Sequence, residues 1–178
     1  MSTEPASRDP AGSASGLPFE ALLFDCAGAA YLARLDAIDE VLMPALLRPI
    51  PGSPAALLGV LNLRGDVLPI IDLGEHLRDP QGTRTGPHIE RHWQRRNRIL
   101  RIQKDGHAVG VAVEAVQGIR TLRPEQRRGQ VLGDQAPSGL LGDLWQLGAD
   151  TLQELHFTAL LADQDLAQLK PQLHRMLS

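Results

Sequence analysis

Apolar and polar residues alternate over short stretches along most of this chain, and turn-forming residues separate the stretches. Two such stretches, 22–26 and 30–34, flank Ala27-Gly28-Ala29, where the glycine permits a tight turn, so the pattern predicts an opening hairpin. Residues 36–43 fit helical and strand spacing about equally well. This segment is therefore predicted to be either a helical turn or a third strand.

The clearest hairpin pattern lies near the middle of the chain. Two apolar runs, 60–63 and 67–73, are joined by the polar residues Arg64-Gly65-Asp66, whose glycine suits a positive φ. Pro69 cannot donate a ladder hydrogen bond, so the second run is expected at a sheet edge or beside a bulge.

The segment before this hairpin contains a motif that has a weak echo later in the chain. Ser53 followed by Pro54 predicts a short helical turn that ends at Gly59. The triplet Leu57-Leu58-Gly59 resembles Leu140-Leu141-Gly142, which also precedes a β-like run and suggests two related halves. The two halves would end at Asp72 and Asp163, at different distances from their glycines, so the echo alone does not establish a repeat.

The second half continues the pattern of short strands. The run 98–102 turns at 104–107 and returns with valines on one face and with small residues on the other, which favours close sheet packing. Further β-like runs are 140–146 and 155–162, and a capped helix is predicted at 163–170. Many short strands with few helices indicate a mainly β sandwich or barrel rather than a parallel α/β sheet.

Composition narrows the class of protein without naming a reaction. The 178 residues are 43% hydrophobic, carry a formal net charge of −3 and contain a single cysteine, Cys26, which is expected to be a small buried side chain. The polar arm 1–16 is expected to be disordered and has no secretory signal pattern, and no apolar run is long enough to span a membrane. A cytoplasmic location is therefore expected.

Two segments suggest alternative chemistry. His88 and His92 are four residues apart, but the glutamate that zinc helices place directly after the first histidine is replaced by Ile89, so an exposed loop is favoured over a metal site. The Arg-rich region 91–101 raises nucleic-acid binding as an alternative function, although Trp93 is the lone aromatic residue there. No catalytic or nucleotide-binding motif is present, so neither an enzyme nor a cofactor is expected.

Three blocks of the sequence resemble the CheW-like adaptor family of chemotaxis. The most distinctive is GVLNLRGDVLPIIDL at 59–73, which matches the family's Asn-Leu-Arg-Gly turn and the strand after it. Upstream, FDCAGAAYLARLDAIDEVL at 24–42 resembles the family's opening hairpin, and downstream GHAVGVAVEAVQGI at 106–119 resembles its second-half hairpin. The chain departs from the pattern at Glu114, where aspartate is usual.

The resemblance implies a fold of two small five-stranded, SH3-like β-barrels with short helices and a hydrophobic core between the barrels. The expected domain spans 17–170. It comprises a first barrel mainly at 19–77, a connection at 78–97, a second barrel mainly at 98–162 and a short helix at 163–170, followed by a tail at 171–178. The family's partners are chemoreceptor tips and the regulatory domain of CheA-type histidine kinases, and its members have no catalytic activity.

Carried over by motif position, five residues are expected at or beneath the receptor and kinase contacts: Ile38, Glu40, Gly59, Arg64 and Val116. Arg64 is the first choice as an interface anchor, because its guanidinium offers five donors in a fixed fork. It could instead be a solvated turn residue or pair with an internal acid such as Glu40. Ile38 and Val116 are aliphatic, and such residues belong more often to a core than to an interface.

Overall fold

The computed structural model describes residues 16–53, 55–78, 93–104, 107–130 and 139–162. Most of the predicted arm at 1–16 and most of the connection at 78–97, including His88 and His92, lie outside these ranges. The predicted helix at 163–170 and the tail at 171–178 lie outside them entirely.

Within these ranges the chain forms eleven strands and two short α-helices, which confirms the mainly β prediction. In chain order they are β1 (Phe19–Cys26), β2 (Ala29–Arg34), β3 (Glu40–Leu42), β4 (Leu57–Leu63), β5 (Asp66–Asp72), α1 (Leu73–Arg78), β6 (Arg98–Lys104), β7 (His107–Val113), β8 (Ala115–Leu122), β9 (Arg127–Gln130), β10 (Leu141–Leu147), β11 (Asp150–Leu155) and α2 (Phe157–Ala162).

The strands form two sheets whose members are interleaved along the sequence. The first sheet has the order β8-β1-β2-β11-β10-β9, and the second has the order β3-β6-β7-β5-β4. The opening hairpin thus joins the C-terminal strands, whereas the middle of the chain forms the second sheet. Sheet membership therefore differs from the predicted division at 19–77 and 98–162, because local hairpin patterns carry no information about distant partners.

In both sheets a segment next to one end strand reaches the opposite edge, which makes the sheets compatible with the expected small barrels. In the second sheet, Arg48 follows β3 and forms two backbone hydrogen bonds with Val60 of β4, at 2.9 and 2.8 Å. In the first sheet, the end strands β8 and β9 are joined by a single 3-10 turn at Pro124–Gln126.

The chain does contain a structural repeat, although the triplets at 57–59 and 140–142 are 83 positions apart and are not equivalent within it. Strands β4 and β5 followed by α1 are repeated as β10 and β11 followed by α2, with a constant offset of 84 positions. Asp72 N donates to Ala56 O at 2.7 Å, and His156 N donates to Leu140 O at 2.8 Å. At this offset the equivalent of Asp72 is His156 and not Asp163, and the equivalent of Gly59 is Asp143 and not Gly142. The distances compared in the sequence therefore joined residues that are not equivalent.

A shared core lies between the two sheets, and each sheet has an apolar interior of its own. Strand β7 serves two of these cores, because its valines lie in the shared core and Ala112 lies in the interior of the second sheet. A Cβ on Gly110 would lie 2.4 Å from Ile70 Cδ1. The predicted role of the small residues of β7 in close packing is thus confirmed at Gly110.

Several local predictions were wrong. The run 155–162 is not a strand, since β11 ends at Leu155 and α2 follows it. Phe157 and Leu160 are one helical turn apart and both are buried in the shared core, a spacing that a helix satisfies and a strand does not. Strand β4 begins at Leu57, so no helical turn extends to Gly59.

Two further boundaries differ from the sequence predictions. The ambiguous segment 36–43 contains both alternatives, a 3-10 turn at Leu35–Ala37 and then β3. Strand β5 ends at Asp72, whose Oδ1 accepts a hydrogen bond from Glu75 N at 3.2 Å and caps α1. Helix α1 was not predicted from the sequence.

Pro69 was predicted to lie at a sheet edge or beside a bulge, and it lies inside the second sheet, between β4 and β7, so the edge alternative is wrong. Its partner Val60 directs both backbone polar groups toward Arg48, so the Val60–Pro69 pair is not hydrogen-bonded. Pairing with β7 begins one residue later, at Ile70. The missing N–H of Pro69 therefore costs the sheet no ladder bond. The β4–β5 ladder does contain a register shift, between Leu57 and Gly59.

Candidate functional site

The candidate site is centred on the tight turn between β4 and β5. Leu63 pairs with Asp66, so the turn contains only Arg64 and Gly65, and the prediction that Asp66 belongs to the loop was wrong. Both residues have positive φ, 57° and 96°, as a type I′ turn requires. Gly65 N donates to Asn62 Oδ1 at 3.0 Å, which holds the turn against the end of β4.

The turn places Arg64 beside Glu40 of β3. Arg64 Nη2 donates to Glu40 Oε1 at 3.0 Å, so the pairing that was one of three alternatives is present. The Arg64 side chain is 75% exposed and that of Glu40 is 31% exposed. An ion pair this exposed contributes about 0–1 kcal/mol to stability. The guanidinium is thus oriented by Glu40 and remains open to solvent.

Arginine is an unfavourable residue for this turn position. A left-handed backbone costs a residue with a Cβ roughly 1–2 kcal/mol, and Asn-Gly is the usual pair in type I′ turns. Arg64 is therefore not explained by the needs of the hairpin. Non-glycine residues in this conformation are often found at functional positions.

A second ion pair connects Asp39, the residue before β3, to Arg101 of β6. Arg101 Nη1 donates to Asp39 Oδ2 at 3.1 Å, and Asp39 N donates to Arg101 O at 2.9 Å. Arg98 Nη1 donates to the carbonyl oxygens of Arg95 and Asn97, each at 2.7 Å. Two arginines of the Arg-rich region 91–101 are therefore engaged in internal contacts, and this weakens the nucleic-acid alternative.

The other three predicted residues are more buried than Arg64. Ile38 and Val116 pack against the shared core as partly buried side chains, and Val116 lies in the first sheet, opposite Phe24. Gly59 is buried with φ of 141°, and a Cβ there would lie 2.4 Å from Arg48 O. The structure thus brings Arg64 into contact with Glu40, and Ile38 lies two residues before Glu40 in the chain. Gly59 instead allows the close approach of Arg48 to β4.

A group of exposed apolar residues that follows Glu40 along the chain was missed in the sequence. Val41, Met43 and Leu46 follow Glu40 and are 43%, 62% and 92% exposed. The signal was the apolar run from 41 to 47, which is too hydrophobic for an ordinary Pro-rich loop. We call these three residues, together with Arg64 and Glu40, the β3 surface.

The described part of the chain shows no reactive constellation at this surface. No group of three or more His, Cys, Asp or Glu residues that could hold a metal ion occurs among the described residues. Cys26 is 2% exposed, so the prediction that it is buried was correct. Among the same residues, no helix has the length and apolar character needed to cross a bilayer.

Comparisons with known proteins agree on one family. The model of the CheW-like domain matches residues 20–165. Protein FrzA of Myxococcus xanthus is 32% identical over 124 residues, which cover 68% of this chain and 72% of FrzA. Chemotaxis protein CheW of Rhizobium meliloti is 31% identical over 103 residues, 58% of this chain and 61% of that protein.

The fold is also found in a solved structure. The crystal structure of the scaffolding protein TtCheW from Thermoanaerobacter tengcongensis superposes with a TM-score of 0.66. The match covers 79% of this chain and 92% of that one at 20% sequence identity, so it bears on the fold alone.

Proposed function

The chain belongs to the CheW-like domain family, and we propose that it is a non-enzymatic adaptor that couples chemoreceptors, the methyl-accepting chemotaxis proteins, to a CheA-type histidine kinase. Its partners would be the cytoplasmic tip of the receptor and the regulatory domain of the kinase. It would act in the cytoplasm, where receptor arrays at the membrane recruit it through these contacts.

The observation that carries this proposal is the presentation of Arg64 on the β4–β5 turn. The strained backbone and the contact with Glu40 fix a guanidinium that is three-quarters exposed. Only Nη2 is used by Glu40, so the remaining N–H donors are available to carboxylates or carbonyls of a partner. Arginine is enriched among the residues that dominate binding at protein interfaces.

The aliphatic part of the β3 surface would supply the apolar area that such an interface needs. Val41, Met43 and Leu46 are exposed and follow Glu40 closely in the chain, so a partner could bury them while a carboxylate approaches Arg64. Gly59 would act indirectly, because it allows the close approach of Arg48, which pairs Val60 of β4 with the segment after β3. Ile38 and Val116 would support the surface from the core side.

Signal transmission requires more than binding. A scaffold that held both receptor states equally well would leave the kinase unchanged, so the adaptor must contact the two states with different affinity. In this proposal, the β3 surface is where that difference arises.

The test is a binding measurement with Arg64→Ala and a matched control. Arg123→Ala removes another exposed arginine, one that lies between β8 and β9 directly before Pro124. We expect Arg64→Ala to weaken binding to a purified receptor tip or kinase regulatory domain by about tenfold or more. Arg123→Ala should leave this binding unchanged. Equal effects of the two variants, or no effect of Arg64→Ala, would contradict it.

A further inference from the structure

The first sheet encloses a carboxylate where its repeat in the second sheet has an aliphatic side chain. Glu154 on β11 lies 84 positions after Ile70 on β5, and both residues belong to the parallel pairing of their sheets. Ile70 is fully buried, and Glu154 is only 4% exposed. A buried carboxylate is costly unless it is hydrogen-bonded and paired, so its partners indicate what it does.

Two side chains hold the carboxylate of Glu154. Trp145 Nε1 on β10 donates to Oε2 at 2.9 Å, and His156 Nε2 lies 3.4 Å from Oε1. Burial raises the pKa of Glu154, but the bonds from His156 and Trp145 and the charges of His156 and Arg34 outweigh it. The net result is a pKa below the usual value, so Glu154 is ionised inside the sheet.

His156 connects this interior charge to solvent, since its side chain is 46% exposed. The bond to Glu154 raises the pKa of His156 and burial lowers it, while the charges of Glu154 and Asp143 raise it further and that of Arg34 opposes them. Asp143 is itself held by two hydrogen bonds from Arg127, at 2.6 and 2.9 Å. The net result is a pKa above that of an ordinary histidine.

His156 also links strand β11 to helix α2. It is the single residue between β11 and α2, and its N–H bonds to Leu140 O. Helix α2 then buries Phe157 and Leu160 in the core shared by the two sheets. A change at His156 therefore acts on the helix that packs between them.

We propose that His156 and Glu154 form a pH-responsive joint between the first sheet and helix α2. The protonated imidazole neutralises the buried carboxylate and holds the end of β11. When His156 loses its proton, Glu154 remains charged without its nearest cation, and the attachment of α2 to the shared core weakens.

The expected pH range follows from the direction of the two shifts. The contribution of His156 is fully present below 6.5, the ordinary histidine value, and is lost as pH rises through its raised folded-state pKa. The contribution of Glu154 is present above 4.5 and is lost as pH falls through its lowered folded-state pKa. The pair is thus most stabilising in mildly acidic solution and loses strength on the alkaline side of neutrality.

The direct test is an NMR titration of the His156 ring in the full chain, combined with urea denaturation at about pH 6 and about pH 8. Glu154→Gln removes the charge and keeps an acceptor for Trp145, and Glu20→Gln is a control on the exposed end of β1. In the wild type and in Glu20→Gln, we expect the His156 ring to titrate above 6.5. In both proteins the urea concentration at the denaturation midpoint should be lower at about pH 8 than at about pH 6. Both effects should be lost in Glu154→Gln.

A second variant tests the geometry without removing a titratable group. A Cβ on Gly142 would lie 2.4 Å from His156 Nε2, so Gly142→Ala should displace the ring from Glu154 and return its pKa toward 6.5. An unshifted His156 in the wild type, or unchanged pH dependence in Glu154→Gln or Gly142→Ala, would overturn the proposal. These measurements involve no partner, so their failure would leave the proposed docking function untouched.

Discussion

Replacing Arg64 with asparagine should separate the stability of the β4–β5 turn from its function. Asn-Gly is the preferred pair for a type I′ turn, and Arg64 holds a left-handed conformation that costs residues with a Cβ about 1–2 kcal/mol. Asparagine recovers part of this cost. The lost contact with Glu40 removes about 0–1 kcal/mol, because that pair is largely exposed.

The two terms nearly cancel, so Arg64→Asn should change the free energy of unfolding by no more than about 1 kcal/mol, with a small gain as the favoured outcome. Binding should respond very differently. If Arg64 is an interface anchor, its loss weakens partner binding by about 2 kcal/mol, or roughly thirtyfold in Kd. Urea denaturation measures the first quantity, and calorimetric titration with a receptor tip measures the second.

The β1–β2 turn provides a matched control. Ala27 and Gly28 also have positive φ, 52° and 78°, and occupy the equivalent two positions of a hairpin turn. Ala27→Gly should therefore stabilise the fold by less than about 1 kcal/mol and leave binding unchanged. An Arg64→Asn protein that lost more than about 2 kcal/mol of stability, or that kept full affinity, would refute the reasoning about this turn.

Three further substitutions test close packing and helix capping in the second sheet, each by urea denaturation. Gly59→Ala should destabilise the chain by about 2–4 kcal/mol, because the new methyl group meets Arg48 O and φ is positive; near-wild-type stability would contradict the observed close approach. Gly110→Ala should cost about 1–3 kcal/mol, since the methyl group meets Ile70, and a stabilised protein would show that a void exists there. Asp72→Ala removes the cap of α1 and should cost about 1 kcal/mol, whereas no loss would mean that the helix end is satisfied in another way.

The sequence carried enough information for the local hairpins. The glycines at 28 and 65 and the alternating residues around them predicted β1–β2 and β4–β5, because a tight turn and a period of two are properties of neighbouring residues. Arg64 was singled out by its motif, and its contact with Glu40 was among the alternatives considered. The exact turn was not predicted, since Asp66 is as polar as a loop residue and yet pairs with Leu63.

The sequence could not reveal which hairpins share a sheet. The partners of β1 and β2, namely β8 and β11, lie far along the chain, and no local pattern encodes such pairings. Phe157 and Leu160 fit the apolar content of a strand as well as that of a helix, and only their burial in one core decides between the two. Glu154 was overlooked because it lies between the two predicted β-like runs, 140–146 and 155–162, whereas the strand is in fact Asp150–Leu155.

The interleaved order of the strands affects how the molecule can be made. The opening hairpin must wait for β8 and β11 before its sheet exists, so the first sheet cannot assemble until about residue 155 has left the ribosome. Contacts this distant along the chain slow folding and leave the outer edges of the β1–β2 hairpin unpaired in the meantime. For the same reason, no continuous fragment contains the whole first sheet without also containing the second, and an experimenter who truncates the chain to isolate one sheet should expect aggregation.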